Sequence, residues 1–204
     1  MSDRWFISLK NRLERAYLQY DEPWKQSGFM GTIKYWEKAR RPILKCIKTS
    51  GALLDIGCAN GYLLECLMKW GKKLSLEIIP YGLDLSEKLV ALAIKRHPVF
   101  KSNFHVGNGW TWDPPIQFEY VRTELGYVPR KLQQKYIERI KTLFLKENGT
   151  LLLTEYRSRN VSAVKPWNDL VIEKWGYSIK KCASGFFEGK EVTRVLSIRH
   201  EDGS

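Results

Sequence analysis

Leu53-Leu54-Asp55-Ile56-Gly57-Cys58-Ala59-Asn60-Gly61-Tyr62 is the stretch on which the fold turns. Residues 52–56 form a short apolar run carrying one acid, the pattern of a strand buried in a parallel sheet. The glycines that follow permit unusual torsions and let backbone approach a ligand closely. Leu63, Leu64, Leu67 and Met68 then repeat at helical spacing. Strand, glycine turn and helix in that order open a doubly wound sheet. A dinucleotide site would read Gly-x-Gly-x-x-Gly, with a pyrophosphate over the helix start. Here the turn reads Gly57-x-Ala59-x-Gly61, two residues after Asp55. An acid beside the ligand suits a cationic group better than a pyrophosphate.

Working outward, the same alternation continues. Residues 78–83 read as a strand, and Ser86 caps a helix over Glu87–Arg96. Short strands are expected at 103–106 and Phe118–Thr123, then a helix over 132–145 stopped by Asn148-Gly149. A strand follows at 150–155, and residues 167–175 look helical, whereas 161–165 give no reading. Residues 178–183 and 192–199 alternate about a glycine-containing turn, as an antiparallel pair does. Before the glycine turn, Phe6, Leu9, Leu13, Tyr17 and Tyr20 mark an amphipathic helix. Ile33, Trp36, Ile43, Leu44 and Ile47 mark a second, with Pro42 near a start or kink. The expectation is an α/β fold: a doubly wound, mostly parallel seven-stranded sheet with a reversed terminal strand, plus N-terminal helices. Residues 1–50 would be a helical appendage and candidate lid, and 51–204 the core of one structural domain.

Composition narrows the class. No apolar run approaches the roughly 20 residues of a membrane helix, and the start lacks a signal-peptide pattern, so a cytoplasmic location is expected. Cys46, Cys58, Cys66 and Cys182 have no CxxC spacing and the three histidines are scattered, so no metal is expected. Cys58, inside the turn, reads as a small buried residue. The net charge is +12, and residues 1–50 carry 11 basic against 5 acidic residues. Such a balance keeps a protein in solution and attracts anions, RNA among them.

Asp55-x-Gly57-x-Ala59-x-Gly61 resembles the first motif of class I S-adenosylmethionine-dependent methyltransferases, Asp/Glu-x-Gly-x-Gly-x-Gly, with Ala59 at the middle glycine. Tyr81-Gly82-Leu83-Asp84-Leu85-Ser86 resembles the second, whose acid holds both ribose hydroxyls; that role would fall to Asp84. Val106-Gly107-Asn108-Gly109 resembles the third, where Asn108 would meet the adenine amino group. Phe118-Glu119-Tyr120-Val121 and Leu145-x₃-Gly149-Thr-Leu-Leu-Leu resemble the fourth and fifth strands. The resemblance covers residues 50–200 and implies S-adenosylmethionine as donor, with S-adenosylhomocysteine as product. It implies a donor site of Asp55, Gly57, Cys58, Ala59, Asn60, Gly61, Asp84, Leu85, Asn108, Gly109 and Glu124. Asp84 follows Asp55 by 29 positions, longer than the usual separation of about 20 residues between glycine turn and ribose acid.

In such sheets the acceptor meets loops at the carboxyl ends of the strands. Arg122-Thr-Glu124-Leu-Gly-Tyr127 follows the fourth strand, so Glu124 is expected to take a proton and Tyr127 to line the pocket, both as catalytic candidates. Arg122, Tyr127 and Tyr156 are substrate-binding candidates, as are Trp24 and Phe29 of a glycine-punctuated loop that could close over the acceptor. Trp110 and Trp112 either stack near adenine or pack in the core. The Asn/Asp-Pro-Pro-Tyr motif of amino-methylating nucleic-acid enzymes is missing. The leading expectation is methyl transfer to oxygen or nitrogen of a small-molecule acceptor. RNA methylation and noncatalytic donor binding are the alternatives.

Overall fold

The computed structural model describes residues 4–158 and 166–199; residues 161–165, left without a reading above, lie outside them. Two segments precede the sheet. Helix α1 (Arg4–Tyr17) buries Phe6 and Leu9. Helix α2 (Ile33–Arg40) starts at Thr32, whose hydroxyl accepts the Tyr35 N–H at 3.3 Å. Pro42 lacks the donor a continuing helix needs, and the chain tightens into a 3₁₀ turn over Arg41–Cys46 that buries Ile43 and Leu44.

Seven strands then form one sheet: β1 (Gly51–Ile56), β2 (Ile78–Asp84), β3 (Phe104–Val106), β4 (Phe118–Thr123), β5 (Leu145–Tyr156), β6 (Ile179–Phe187) and β7 (Lys190–Arg199). Their order is β3-β2-β1-β4-β5-β7-β6. β1 to β5 pair in parallel, and β7 runs against both β5 and β6. The reversed strand is thus last in sequence but sits one place inside the edge. β6 and β7 join through Glu188 (φ 49°) and Gly189 (φ 76°), a left-handed pair whose twist suits a two-residue hairpin.

Helices α3 (Tyr62–Lys72), α4 (Glu87–Arg96), α5 (Gln133–Arg139) and α6 (Asp169–Lys174) complete the layers. Leu54, Ile56, Val121 and Leu153 pack toward Tyr136, Ile137 and Phe144. Leu53, Tyr120 and Leu152 face the other way, toward Leu64, Leu67, Trp36 and Ile43. Each fully buried leucine or isoleucine contributes about 1.5–3 kcal/mol. The N-terminal segment therefore shares the core on both faces. The long interval between Asp55 and Asp84 is taken up by α3 and the connection at 73–77, and Asp55 still stands level with Gly82 across the parallel pair.

The helical stretch expected over 132–145 ends at Phe144, but its stop signal and the start of the next strand, expected at 150, differ. α5 passes into a wider turn over Ile140–Phe144, and Leu145 already pairs with Phe118. Asn148 (φ 58°) and Gly149 do not stop the helix. They sit in a four-residue bulge of β5, after which Thr150 pairs with Tyr120. Leu145 is fully buried, and burying it beside Phe118 sets the strand start ahead of the turn residues.

Candidate functional site

The glycine turn crosses from β1 to α3 with left-handed torsions at Gly57 (φ 79°), Ala59 (φ 47°) and Gly61 (φ 73°). The N–H groups of Gly57 and Cys58 both donate to the Leu83 carbonyl, at 2.7 and 3.1 Å, so the turn is bound to the end of β2. Asp84 completes that attachment. Its Oδ2 accepts the Ala59 N–H and its Oδ1 the Ser86 N–H, each at 2.9 Å. Burial pushes this carboxyl up to about 6, against the backbone donors that favour its charge.

A cavity of about 240 Å³ opens over this turn. Gly57, Ala59, Asp84 and Leu85 form one side of it. Asn108, Gly109 and Trp110 close one end, where Asn108 Oδ1 accepts the Trp110 N–H at 2.9 Å. Glu124 and Tyr127 stand on the loop after β4, and Tyr156 is the last residue of β5, all at the carboxyl end of the sheet. Trp112 packs into the core beside Phe144.

Other expected residues lie behind these walls. Arg122 is buried and its guanidinium is fully engaged. Nη1 lies 3.1 Å from Asp55 Oδ1 and 3.3 Å from the Tyr127 hydroxyl, and Nε donates to Thr154 Oγ1 at 2.9 Å. Nη2 donates to Glu124 Oε1 and, at 3.3 Å, to the Tyr156 hydroxyl. Burial opposes the charge of Arg122, but the surrounding oxygens of Tyr156, Tyr127, Asp55 and Glu124 hold it well above its ordinary value. Neither Arg122 nor Asp55 lines the cavity. Arg122 instead orients the residues that do: Tyr127 in turn donates to Glu124 Oε1 at 2.9 Å. Cys58, Asn60 and Gly61 knit the turn to its surroundings. Cys58 is buried, and burial raises its thiol well above the usual range. Asn60 Nδ2 donates to the Pro23 carbonyl (3.0 Å) and Gln26 Oε1 (3.1 Å), and the Gly61 carbonyl meets His97 Nε2 at 3.0 Å.

Trp24 and Phe29 line a second cavity of about 1040 Å³. It shares Gly28, Arg40 and Tyr156 with the first, so the two meet at these residues.

Sequence reasoning missed Arg40 and Tyr17. Arg40 is 7% exposed, its guanidinium lies 3.5 Å from the centre of the Tyr156 ring and 4.5 Å from that of Trp36, and its Nη1 is buried with no hydrogen-bond partner. Burial lowers its affinity for a proton. The available signal was spacing: Arg40 follows Trp36 by one helical turn and so lies on the buried face of α2. Tyr17, on α1, packs against Gly28, where an added Cβ would stand 2.3 Å from its hydroxyl. Among the described residues, no group of three or more His, Cys, Asp or Glu is gathered as a metal site requires, and no helix is long and apolar enough to cross a membrane.

No protein-family model and no curated protein matches the sequence. Solved structures do match in shape. The N-methyltransferase NodS from Bradyrhizobium japonicum WM9, solved with S-adenosyl-L-homocysteine, aligns with a TM-score of 0.63 at 15% identity over 93% of this chain and 97% of that one. Magnesium protoporphyrin IX methyltransferase (ChlM) from Synechocystis PCC 6803, with bound S-adenosylmethionine, aligns with a TM-score of 0.63 at 15% identity over 98% of each chain. The small RNA methyltransferase HEN1 aligns with a TM-score of 0.57 at 17% identity over 81% of this chain but 25% of its own. The chain has the fold of class I S-adenosylmethionine-dependent methyltransferases.

Proposed function

We propose that this chain is an S-adenosylmethionine-dependent methyltransferase acting on oxygen or nitrogen of a small-molecule acceptor. One observation carries the reading. The first cavity has a buried carboxylate, Asp84, bound to the glycine turn, and in its wall a buried guanidinium, Arg40, whose Nη1 has no hydrogen-bond partner among the described residues. That arrangement fits a nucleoside joined to an amino acid, whose ribose offers hydroxyl donors and whose amino-acid end offers a carboxylate.

When bound, the donor supplies an electrophilic methyl on a sulfonium, already a good leaving group. The protein's task is alignment and exclusion of water. Asp84 accepts from the ribose hydroxyls, Asn108 meets the adenine edge, and Arg40 receives the carboxylate. Glu124, held by Arg122 and Tyr127 through Oε1, keeps Oε2 for the donor's ammonium or for the acceptor's proton. Helix α1 lines the cavity with Leu9, Leu13 and Tyr17 and serves as its cover.

Calorimetry with S-adenosylhomocysteine tests the donor site, and labelled methyl transfer into fractionated cell extract tests the reaction. Label in the metabolite fraction supports the proposal. RNA methylation is a second reading, favoured by the net charge of +12 and by Arg4, Arg12 and Arg15 along one groove of α1. It requires label in RNA and binding that weakens steeply with salt. Tight product binding with no label in any fraction would leave a noncatalytic donor-binding protein.

A further inference from the structure

The second cavity begins where the first ends. Gly28, Arg40 and Tyr156 belong to both, and Glu124 and Tyr127 stand beside Tyr156 around Arg122. If the first cavity holds the donor, as proposed above, an acceptor in the second meets it at this junction.

The lining of the second cavity is aromatic. Tyr35 stacks on Phe187 at 4.2 Å between centroids and 13° between planes. Phe29 stands edge-on to Tyr35 at 4.7 Å, and Trp24 joins the same wall. Met30 and Ile33, 54% and 38% exposed, add apolar surface. The polar tips of these rings are already engaged. Trp24 Nε1 donates to the Gly31 carbonyl at 3.0 Å, and the Tyr35 hydroxyl to the Arg157 carbonyl at 3.3 Å. What remains for a ligand is ring surface.

Apart from Arg40, shared with the first cavity and assigned above to the donor's carboxylate, Lys25 and Arg157 are engaged. Lys25 pairs with Glu22 at 2.6 Å, and Arg157 with Glu155 at 2.9 Å. A nucleic-acid strand needs cations that follow its phosphates. A sugar chain needs a dense set of free polar groups for its hydroxyls. Among the described residues, this cavity offers neither. Its volume of about 1040 Å³ accommodates a small organic ligand, at the upper end of the roughly 300–1,000 Å³ of such sites.

We propose that the second cavity is the acceptor pocket and takes a flat aromatic molecule bearing a hydroxyl or amine, stacked against Trp24, Phe29, Tyr35 and Phe187. The acceptor's oxygen or nitrogen lone pair forms the new bond to the methyl carbon. The carbon–sulfur bond breaks with its electron pair passing to sulfur, which becomes a neutral thioether. The acceptor's proton passes to Glu124 or to water.

The test uses the full chain loaded with S-adenosylhomocysteine and a probe set of 2-naphthol, 2-naphthylamine and 5-hydroxyindole, titrated by calorimetry. The same compounds are then offered with labelled S-adenosylmethionine. At least one should bind and accept label. Phe29→Ala should weaken that binding about tenfold, the scale of one lost aromatic contact, while leaving S-adenosylhomocysteine affinity within about twofold. Met30→Lys, at an exposed position that spares folding, should also weaken it. No aromatic binding by a protein that does bind S-adenosylhomocysteine would overturn the acceptor proposal alone. So would label entering only RNA or oligosaccharide. Failure to bind S-adenosylhomocysteine would sink the donor reading, and this inference with it.

Discussion

Arg122 Nη1 and Asp55 Oδ1 lie 3.1 Å apart, with side chains only 4% and 1% exposed, so the acid that opens the glycine turn faces a guanidinium from the neighbouring strand. Asp55 and Arg122 stand level in the β1–β4 pairing, which makes the contact a consequence of register. Arg122→Met leaves Asp55 buried without its partner and releases Glu124. The expected loss is about 3–5 kcal/mol, read as a lower denaturant midpoint at unchanged slope. A change below about 0.5 kcal/mol would show that the pair is dispensable.

Asp84 gives a pH signature. Its carboxyl titrates near 6 because burial disfavours the charge, and only the ionised form accepts from two ribose hydroxyls. S-adenosylhomocysteine affinity should therefore fall as pH drops through about 6, by up to about tenfold per unit, and stay level above 7. In the free protein the sign is opposite. The folded chain holds this proton to a higher pH than the unfolded chain, so this group's contribution to stability declines as pH rises from about 4 to about 6. The ligand-induced rise in melting temperature should grow between pH 5 and 7. Asp84→Asn should remove the dependence. An unchanged pH profile in that variant would refute the assignment.

Gly57 is sterically committed. Its φ is 79°, and an added Cβ would stand 2.5 Å from Tyr127 Cζ. Gly57→Ala should destabilise the fold by about 1–3 kcal/mol and weaken product binding by displacing Tyr127. Ala59→Gly, which restores the commoner residue at a left-handed position, should change stability by less than about 1 kcal/mol. Equal effects of the two substitutions would contradict this account.

Helix α1 is latched across the first cavity. The Ser86 hydroxyl donates to Glu14 Oε1 at 2.7 Å, and Lys88 Nζ lies 3.4 Å from Glu14 Oε2. The cavity beneath, about 240 Å³, is smaller than the roughly 300 Å³ at which ligand sites usually begin, so the proposed donor site predicts that α1 shifts when the donor binds. Glu14→Ala should speed hydrogen exchange across residues 4–17, and S-adenosylhomocysteine should slow it. Exchange indifferent to both would remove α1 as a cover.

The strands, the glycine turn and the position of Asp84 were legible in residue order. Apolar runs, helical spacing and glycine torsions act between near neighbours, and Ser86 caps α4 within a single turn. The start of β5 was not, because Leu145 answers to Phe118 on another strand and not to the Asn148-Gly149 pair beside it.

The sequence by itself determined the alternation of β and α segments and the glycine turn at the sheet's carboxyl edge, since those depend on local periodicity and torsion. Only the tertiary structure decided which charges meet. Arg122 is engaged by Asp55 and Glu124, whereas Arg40, on the buried face of α2, reaches Tyr156 without a carboxylate. Pairing across strands follows register and packing, which sum contributions from the whole chain, so no single stretch of residues could assign it.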